Sequence, residues 1–204
     1  MMTTEPGTGF LASLAAVDDQ AFSGLRARLA DEAAREGLLD VAYRTIDTPV
    51  GELLLAATER GLVRVAYPAE NHDAVLSALA GRVSPRILHA PARLDAAARE
   101  LDEYFARTRH SFGLNLDLQL ARGFRLAVLE HLTEIGYGKT ASYAAVAAAS
   151  GSPAAVRAVG TACARNPLPV VIPCHRVVRS DGSIGNYVGG TDAKQVLLDL
   201  EAAA

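Results

Sequence analysis

The sequence is poor in cysteine and in long apolar runs, and each shortage excludes a class of protein. Its 204 residues include only two cysteines, Cys163 and Cys174. Two are too few for a disulfide framework, and they lack the paired spacing of a zinc ribbon. No run approaches the roughly 18 apolar residues of a membrane span, and the first ten residues lack the basic stretch of a signal peptide. We therefore predict a cytoplasmic protein with no membrane contact, no metal and no cofactor.

Charge is small overall but unevenly distributed. The formal net charge is −3 and half of the residues are hydrophobic, which is enough for one large domain or two small ones. Residues 1–40 carry a net charge of −4, whereas residues 154–190 hold four arginines and a single acid. This basic region is compatible with a small DNA contact, although it is too modest to establish one.

Hydrophobic periodicity and turn residues predict a mixed α+β fold in three parts: an N-terminal extension (1–40), an α/β domain (41–120) and a helical domain (121–204). In the extension, Asp18 or Asp19 caps a helix that ends at Gly37 and packs on the body as an accessory element. Its apolar positions are Phe22, Leu25, Leu29 and Ala33. The α/β domain should contain strands at 43–47, 53–58, 62–67, 86–89 and 112–118, and helices at 72–81 and 94–108.

The helical domain (121–204) is predicted to begin with three helices. A helix over 124–134 ends at the glycines 136 and 138, and Ser142 caps a helix over 143–149. Ser152 and Pro153 then open a helix that runs to about residue 164. Two short helices joined by a turn with Gly151 form a helix-turn-helix pattern. An apolar strand over 169–172 follows.

Cys174 is the most informative residue because of what surrounds it. Residues 171–177 read Val-Ile-Pro-Cys-His-Arg-Val. A thiol reacts as its thiolate, and an adjacent imidazolium (His175) or guanidinium (Arg176) lowers the thiol pKa. The alternative is a buried cysteine that only fills a strand. The flanking Pro173 and His175, with the glycine-rich stretch 181–190, favour a reactive cysteine.

The helix that Pro153 opens carries small side chains and one long cation, Arg157. Such a helix can pack tightly inside the domain, or it can enter a DNA groove with Arg157 in the space of an extruded base. The composition alone leaves both interpretations open. The small residues are Ala154, Ala155, Ala158, Gly160, Thr161 and Ala162.

Four separated motifs, in one order and at one spacing, resemble the O-6-alkylguanine-DNA alkyltransferases. They lie at residues 157–160, 166–167, 173–177 and 185–190. The resemblance runs from residue 124 to 201, extends more loosely back to 43–51, and leaves out the first 40 residues. It implies a ribonuclease-H-like N-terminal domain with a small antiparallel sheet. It also implies a C-terminal domain with a winged-helix-like helix-turn-helix.

The resemblance implies a chemical role for five residues. Cys174 attacks the alkyl carbon on guanine O6, keeps the group as a thioether and is not regenerated. His175 takes the thiol proton through a water, and Glu201 orients the imidazole, in the general order of nucleophile, base and carboxylate. Tyr143 stabilises or protonates the departing base. Asn166 ties a turn to the backbone of the active site.

The resemblance also implies how DNA is held. The guanine must leave the base stack to reach a buried thiol, so the nucleotide is flipped and Arg157 fills its space. The partner is double-stranded DNA containing O6-alkylguanine, with O4-alkylthymine as a further candidate, and the protein is expected to act as a monomer. The pocket loop comprises Tyr187, Val188 and Gly189, and the other DNA contacts come from Ala155, Ala158, Thr161 and Arg165.

Some positions depart from the family pattern. Arg125 stands where glutamine is frequent, Leu129 where tryptophan is common, and residues 136–137 where a proline is usual. These departures concern the packing before the helix pair rather than the reaction. Residues 1–40 contain no Cys or His, so the zinc-binding regulatory extension of some bacterial relatives is not expected.

Three other functions stay open at this point. A non-catalytic lesion-sensing relative would lack the reactive cysteine. A helix-turn-helix transcription regulator would leave Cys174 and His175 unused, and a Cys-His hydrolase usually draws its nucleophile and base from separate segments. Taken singly, Tyr143 and His175 could be core residues, and Glu201 a solvated acid.

Overall fold

The fold is mixed α+β, as predicted, in a computed structural model that describes residues 22 and 24–202. One helix comes first along the described chain, a small sheet with two helices follows, and a mainly helical part comes last. The strands are β1 (Val41–Ile46), β2 (Leu53–Thr58), β3 (Gly61–Ala66), β4 (Ile87–His89), β5 (Ala141–Ser142) and β6 (Val177–Val178). The helices are α1 (residues 24–35), α2 (His72–Arg82), α3 (Asp95–Phe105), α4 (Phe124–Leu132), α5 (Tyr143–Ala149), α6 (Val156–Ala164) and α7 (Gly190–Ala202).

The N-terminal sheet has the strand order β3-β2-β1-β4. Strands β1, β2 and β3 form an antiparallel meander, and β4 joins β1 in parallel. Because side chains alternate along a strand, both faces of β2 can be buried. Leu53 and Leu55 enter the main core that continues into the helical part, whereas Leu54 packs with α2. The sheet is therefore joined to the helical part through one hydrophobic core.

The strand predicted at 112–118 is wrong. The segment makes a single bridge between Leu116 and Leu62 and then turns into a 3-10 helix over Leu118–Leu120. Asp117 explains the change, because its side chain accepts from the backbone N–H of Gln119 at 3.2 Å and pairs with Arg60. An aspartate that caps the next turn and binds a cation ends the extended backbone.

The first helix packs differently from the prediction. The capping positions 18 and 19 lie outside the described residues, and residues 24–35 are helical as expected. Three of the four predicted apolar positions, Phe22, Leu25 and Leu29, are 57–58% exposed and do not face the body. The fourth, Ala33, contacts the core as predicted, together with Ala30. Small side chains allow this close approach.

The two short helices of the C-terminal part form, but the second begins late. The Ser142 hydroxyl accepts from the N–H of Ala145 at 3.1 Å and caps α5, as predicted. Helix α6 begins at Val156 rather than at Pro153, because Ser152 belongs to a turn in which Ala155 N–H donates to its carbonyl at 2.9 Å. Helices α4, α5 and α6 pack against one another around Val128, Val146 and Val159, which are fully buried.

The apolar segment before the cysteine is a turn and not the predicted strand. Val170 has a φ of 71°, and Ile172 N–H donates to the carbonyl of Leu168 at 2.8 Å. Asn166 closes this turn, since its Oδ1 accepts from Leu168 N–H at 2.9 Å and its Nδ2 donates to the carbonyl of Ile172 at 2.8 Å. The turn directs the chain so that Cys174 begins a buried 3-10 turn over Cys174–Arg176.

Candidate functional site

The thiol of Cys174 lies inside the protein, 2% exposed, and one polar side chain reaches it. Asn166 Nδ2 donates to Cys174 Sγ at 3.1 Å while also holding the turn before it. A donor of this kind stabilises a sulfur that gains negative charge. The structure thus brings Asn166 and Cys174 together, and the asparagine links the loop conformation to the thiol.

Glu201 at the end of α7 organises the next group of polar residues. Its carboxylate accepts five hydrogen bonds and is only 1% exposed. They come from Tyr104 Oη at 2.7 Å, Gly138 N at 3.1 Å, His175 Nε2 at 2.9 Å, and Arg176 Nε and Nη2 at 2.9 Å each. A buried carboxylate is tolerable only when it is paired and saturated with donors, as here.

The protonation states of this cluster follow from its contacts. Burial by itself raises the pKa of Glu201, but hydrogen bonds from His175 and Arg176 lower that pKa to about 2, so the carboxylate is ionised. Burial lowers the pKa of His175 below its ordinary value and outweighs the attraction of Glu201, so the imidazole is neutral. An ionised Glu201 can only accept, hence Nε2 carries the proton and Nδ1 carries the lone pair. Among residues 24–202, no protein group hydrogen-bonds Nδ1.

Burial dominates the acidity of the thiol, and this corrects a prediction made from the sequence. Desolvation raises the pKa of Cys174 to about 11, although the Asn166 donor and the Lys194 ammonium lower it. The neighbouring groups expected to acidify the thiol do not do so. Arg176 is committed to Glu201, and His175 is neutral. Cys174 is therefore a protonated thiol at rest and needs a base before it can attack.

Tyr143 and Lys194 both lie close enough to Cys174 to interact with it electrostatically. Lys194 is fully buried, donates to the carbonyls of Val177 (2.6 Å) and Ile184, and lies 5.9 Å from the centre of the Tyr143 ring. Burial lowers the pKa of Lys194 and raises that of Tyr143, so the phenol stays protonated. A Cβ at Gly185 would lie 3.2 Å from the Tyr143 hydroxyl and the φ of Gly185 is 65°, so glycine suits this position.

The predicted pocket loop packs on a residue of the N-terminal part. The hydroxyls of Tyr187 and Tyr67 are 3.1 Å apart, and their rings meet edge to face at 5.7 Å. A Cβ at Gly189 would lie 2.6 Å from the Tyr67 ring, which requires glycine there. The Tyr187 ring also meets His175 edge to face at 6.3 Å, and Val188 packs partly buried against the core. The loop is thereby held near the cysteine.

The residues predicted to contact DNA lie apart from this buried cluster, on and beside α6. Arg157, Ala158, Thr161 and Arg165 are exposed and Ala155 is half-buried. The Thr161 hydroxyl donates to the carbonyl of Arg157, one turn earlier. The side chains that do face the core from this helix are Val159, Ala162 and Cys163. Helix α6 thus presents a surface of small side chains and long cations to solvent.

Three contributors to the site were missed from the sequence. Lys194 precedes Glu201 by seven residues, so helical spacing could have placed both on one face of α7. Tyr104 follows the buried Leu101 by three residues in α3, and the same rule would have found it. Tyr67 lies just after β3, and no pattern in the sequence indicates that it reaches Tyr187.

No group of three or more His, Cys, Asp or Glu in residues 24–202 is arranged to hold a metal ion. No helix in the same part of the chain combines the length and apolar character required to cross a bilayer.

Comparison with known proteins gives a consistent result along almost the whole described chain. The family described as "6-O-methylguanine DNA methyltransferase, ribonuclease-like domain" matches residues 41–118, and "6-O-methylguanine DNA methyltransferase, DNA binding domain" matches residues 123–203. A methylated-DNA–protein-cysteine methyltransferase of Methanosarcina barkeri is 37% identical over 163 residues, 78% of this chain and 96% of that protein.

Solved structures agree with the sequence matches. The crystal structure of the Mycobacterium tuberculosis O6-methylguanine methyltransferase aligns with a TM-score of 0.71 at 34% identity, covering 80% of this chain and 93% of that one. A structure of the M. tuberculosis protein in complex with DNA aligns with a TM-score of 0.68 at 34% identity, covering 79% and 93%. Similarity at this level extends over both the sheet and the helical part.

Proposed function

The chain belongs to the 6-O-methylguanine DNA methyltransferase family, and on that premise we propose that it repairs DNA by moving an alkyl group from O6 of guanine to Cys174. The observation that carries the proposal is the arrangement of one buried thiol with a neutral imidazole next to it in the chain. The Nε2 of that imidazole is committed to an ionised Glu201. This arrangement supplies an alkyl acceptor and a base.

The reaction begins with proton removal from the thiol. Because the pKa of Cys174 is raised to about 11, few thiolates exist at neutral pH and the proton must pass to a base as attack begins. His175 Nδ1 holds the available lone pair and takes this proton through a bridging water. Glu201 stabilises the imidazolium that results, as a carboxylate does in other nucleophile–base pairs. The Asn166 N–H stabilises the charge on sulfur.

Transfer then exchanges one bond for another. The sulfur lone pair forms a bond to the alkyl carbon, the bond between that carbon and O6 breaks, and its electron pair stays on guanine. The protonated Tyr143 hydroxyl donates to the base as this charge develops. The product is a thioether on Cys174, which contains no bond that water can readily cleave. Each molecule therefore acts once.

Access to a buried thiol requires a flipped nucleotide. Helix α6, the second helix of a helix-turn-helix with α5, enters the groove, since its exposed small side chains limit steric clashes. Arg157 occupies the space that the base leaves, and Ala155, Ala158, Thr161 and Arg165 contact the surrounding DNA. Tyr187, Val188 and Gly189 line the pocket that receives the guanine, with Tyr67 packed behind Gly189.

We place the protein in the cytoplasm as a monomer, with domains divided near residue 120 and preceded by an extension up to residue 40. O4-alkylthymine is a second candidate substrate, because the same displacement at carbon applies to it.

The stoichiometry of repair tests this proposal. The protein is titrated into duplex DNA that contains one O6-methylguanine, and the remaining lesion is measured after digestion of the DNA. We expect one lesion removed per protein molecule, with no further loss on longer incubation. Cys174→Ser should remove none, while Cys163→Ala, a change at the other buried cysteine, should keep full stoichiometry. Repeated turnover, or activity in Cys174→Ser, would refute the proposal.

A further inference from the structure

A basic groove leads away from α6 towards the N-terminal part of the molecule. Three adjoining cavities of about 350, 370 and 440 Å³ form it, and they share lining residues. The first is lined by Ala158, Thr161 and Arg165 of the α6 region. The last reaches Arg82 at the end of α2. The groove is therefore continuous with the surface that we assign to DNA.

Arginines dominate the groove. Its lining contains Arg64, Arg82, Arg122, Arg125 and Arg165, and the single acid there is Glu70. Glu70 is paired with Arg64. Within residues 24–202, the other four arginines form no salt bridge, unlike many arginines elsewhere on this surface. The groove thus carries four uncompensated positive charges on a chain whose formal net charge is −3.

Two of these cations are held towards one point. Arg82 Nη2 approaches the carbonyl of Leu120 at 3.5 Å, and Arg125 Nη2 donates to the same carbonyl. Two guanidinium groups that converge without a carboxylate repel each other, and a bound anion relieves that repulsion. Arginine is also suited to phosphate, because its planar fork makes two parallel hydrogen bonds to the phosphate oxygens.

We propose that this groove binds the phosphate backbone of the duplex that flanks the damaged nucleotide, so that the N-terminal part also holds DNA. The inference rests on the proposed function. Duplex DNA is the occupant that the position favours, because the groove opens beside α6 and shares Arg165 with it. Contacts to phosphate position a duplex without reading its sequence, which suits a protein that must find a rare lesion in any sequence.

The salt dependence of DNA binding tests this inference. The variant Arg82→Gln/Arg122→Gln removes two charges of the groove that lie outside the alkyl-transfer site. The matched control Arg93→Gln/Arg99→Gln removes two exposed arginines elsewhere on the N-terminal part. Binding to a duplex of about 30 base pairs, three helical turns, is measured between about 50 and 200 mM salt. The rate with free benzylguanine, which has no phosphate, is measured in parallel.

Each phosphate contact contributes about 0.9 to the slope of log K against log salt, so the groove variant should lose about 1.8 of that slope. Arg82→Lys/Arg122→Lys keeps both charges and should keep the slope, and the control should match the wild type. An unchanged slope in the groove variant overturns the inference, as does an equal loss in the control. Retained reaction with benzylguanine then leaves the proposed function standing. If neither the damaged duplex nor benzylguanine alkylates Cys174 in the wild-type protein, the proposed function itself is overturned.

Discussion

The buried cluster around Glu201 and the exposed face of α6 are opposite solutions to placing charge in a protein. In the cluster, the charged side chains are almost inaccessible to water, and the Glu201 carboxylate accepts five hydrogen bonds. On α6, Arg157 and the nearby Arg165 extend into solvent without an acidic partner in the described part of the chain. One region is complete in the isolated protein, whereas the other has its charges unmatched.

This difference separates the chemistry from recognition. A saturated cluster fixes the tautomer of His175 before any substrate arrives, so its energetic contribution is already present in the free protein. The arginines beside α6 gain partners only when a polyanion binds. Changes in the cluster should therefore affect stability and every substrate, and changes on α6 should affect only reactions that involve DNA.

The largest effect is expected from Glu201→Gln. The substitution removes the negative charge that faces the buried Arg176 and the acceptor that orients His175. Breaking a buried ion pair from one side costs about 3–5 kcal/mol of the free energy of unfolding. Loss of an oriented base slows proton transfer about 100-fold or more. Urea unfolding and single-turnover rates with free benzylguanine measure the two effects.

The control for this variant is Asp199→Asn, a change on the same helix. Asp199 is exposed, and among the described residues its side chain accepts a hydrogen bond from Gln195, one turn away. Both the unfolding midpoint and the rate should stay near the wild-type values. Equal losses in the two variants would mean that α7, rather than the buried carboxylate, sets the reactivity.

A smaller and more selective effect is expected from Arg157→Ala. Unstacking a base costs a few kcal/mol, and Arg157 offsets part of this cost by filling the vacated space. Loss of about 1.4 kcal/mol of that stabilisation slows the reaction about tenfold. Repair of duplex DNA should slow by at least that factor, while the rate with free benzylguanine and the unfolding midpoint stay unchanged. Arg99→Ala, an exposed arginine on α3, serves as the matched control. A similar loss on both substrates would give Arg157 a structural role.

The smallest effect on the reaction rate is expected from a change of pH. If His175 takes the thiol proton inside the protein, the single-turnover rate with benzylguanine should be nearly constant between about pH 7 and 9. A reaction that needed the thiolate in advance would rise about tenfold per pH unit there, because the pKa of Cys174 is raised to about 11. A stopped-flow pH profile distinguishes the two cases, and a steady rise would contradict the role of His175.

Acid should weaken the folded protein through the same groups. Folding lowers the pKa of His175 from 6.5 and that of Glu201 from 4.5, so the unfolded chain binds their protons at higher pH. Stability from His175 is complete above about pH 6.5 and declines below it, and the contribution of Glu201 declines below about pH 4.5. Urea midpoints across this range would show both losses, which should be absent in a variant that carries neither group.

The sequence predicted the main residues of the buried cluster but not their protonation states. Cys174, His175 and Glu201 are separated by up to 27 residues, and the resemblance named all three because motif spacing preserves such a group. The prediction of a lowered thiol pKa was wrong. Adjacency in sequence does not show that Arg176 binds Glu201, or that burial of the thiol outweighs the nearby charges. Burial is a property of the whole packing and has no local signature.

Particular elements of the fold also depend on distant contacts that a local sequence pattern does not show. Alternating leucines predicted a strand at 112–118, but Asp117 binds Arg60 across the fold and caps the next turn. The apolar run at 169–172 became a turn because Asn166 closes it with two hydrogen bonds. Tyr67 reaches Tyr187 over 120 positions of sequence, and only the assembled core brings them together. A local sequence pattern carries no information about contacts with such distant residues.

The position of the transferred group decides whether Cys174 is the acceptor. After reaction with duplex DNA that carries isotopically labelled O6-methylguanine, the protein is digested and its peptides are sequenced by mass spectrometry. We predict one labelled methyl on the sulfur of Cys174 and none on Cys163. Label on Cys163 or on any other side chain, with Cys174 unmodified, would contradict it.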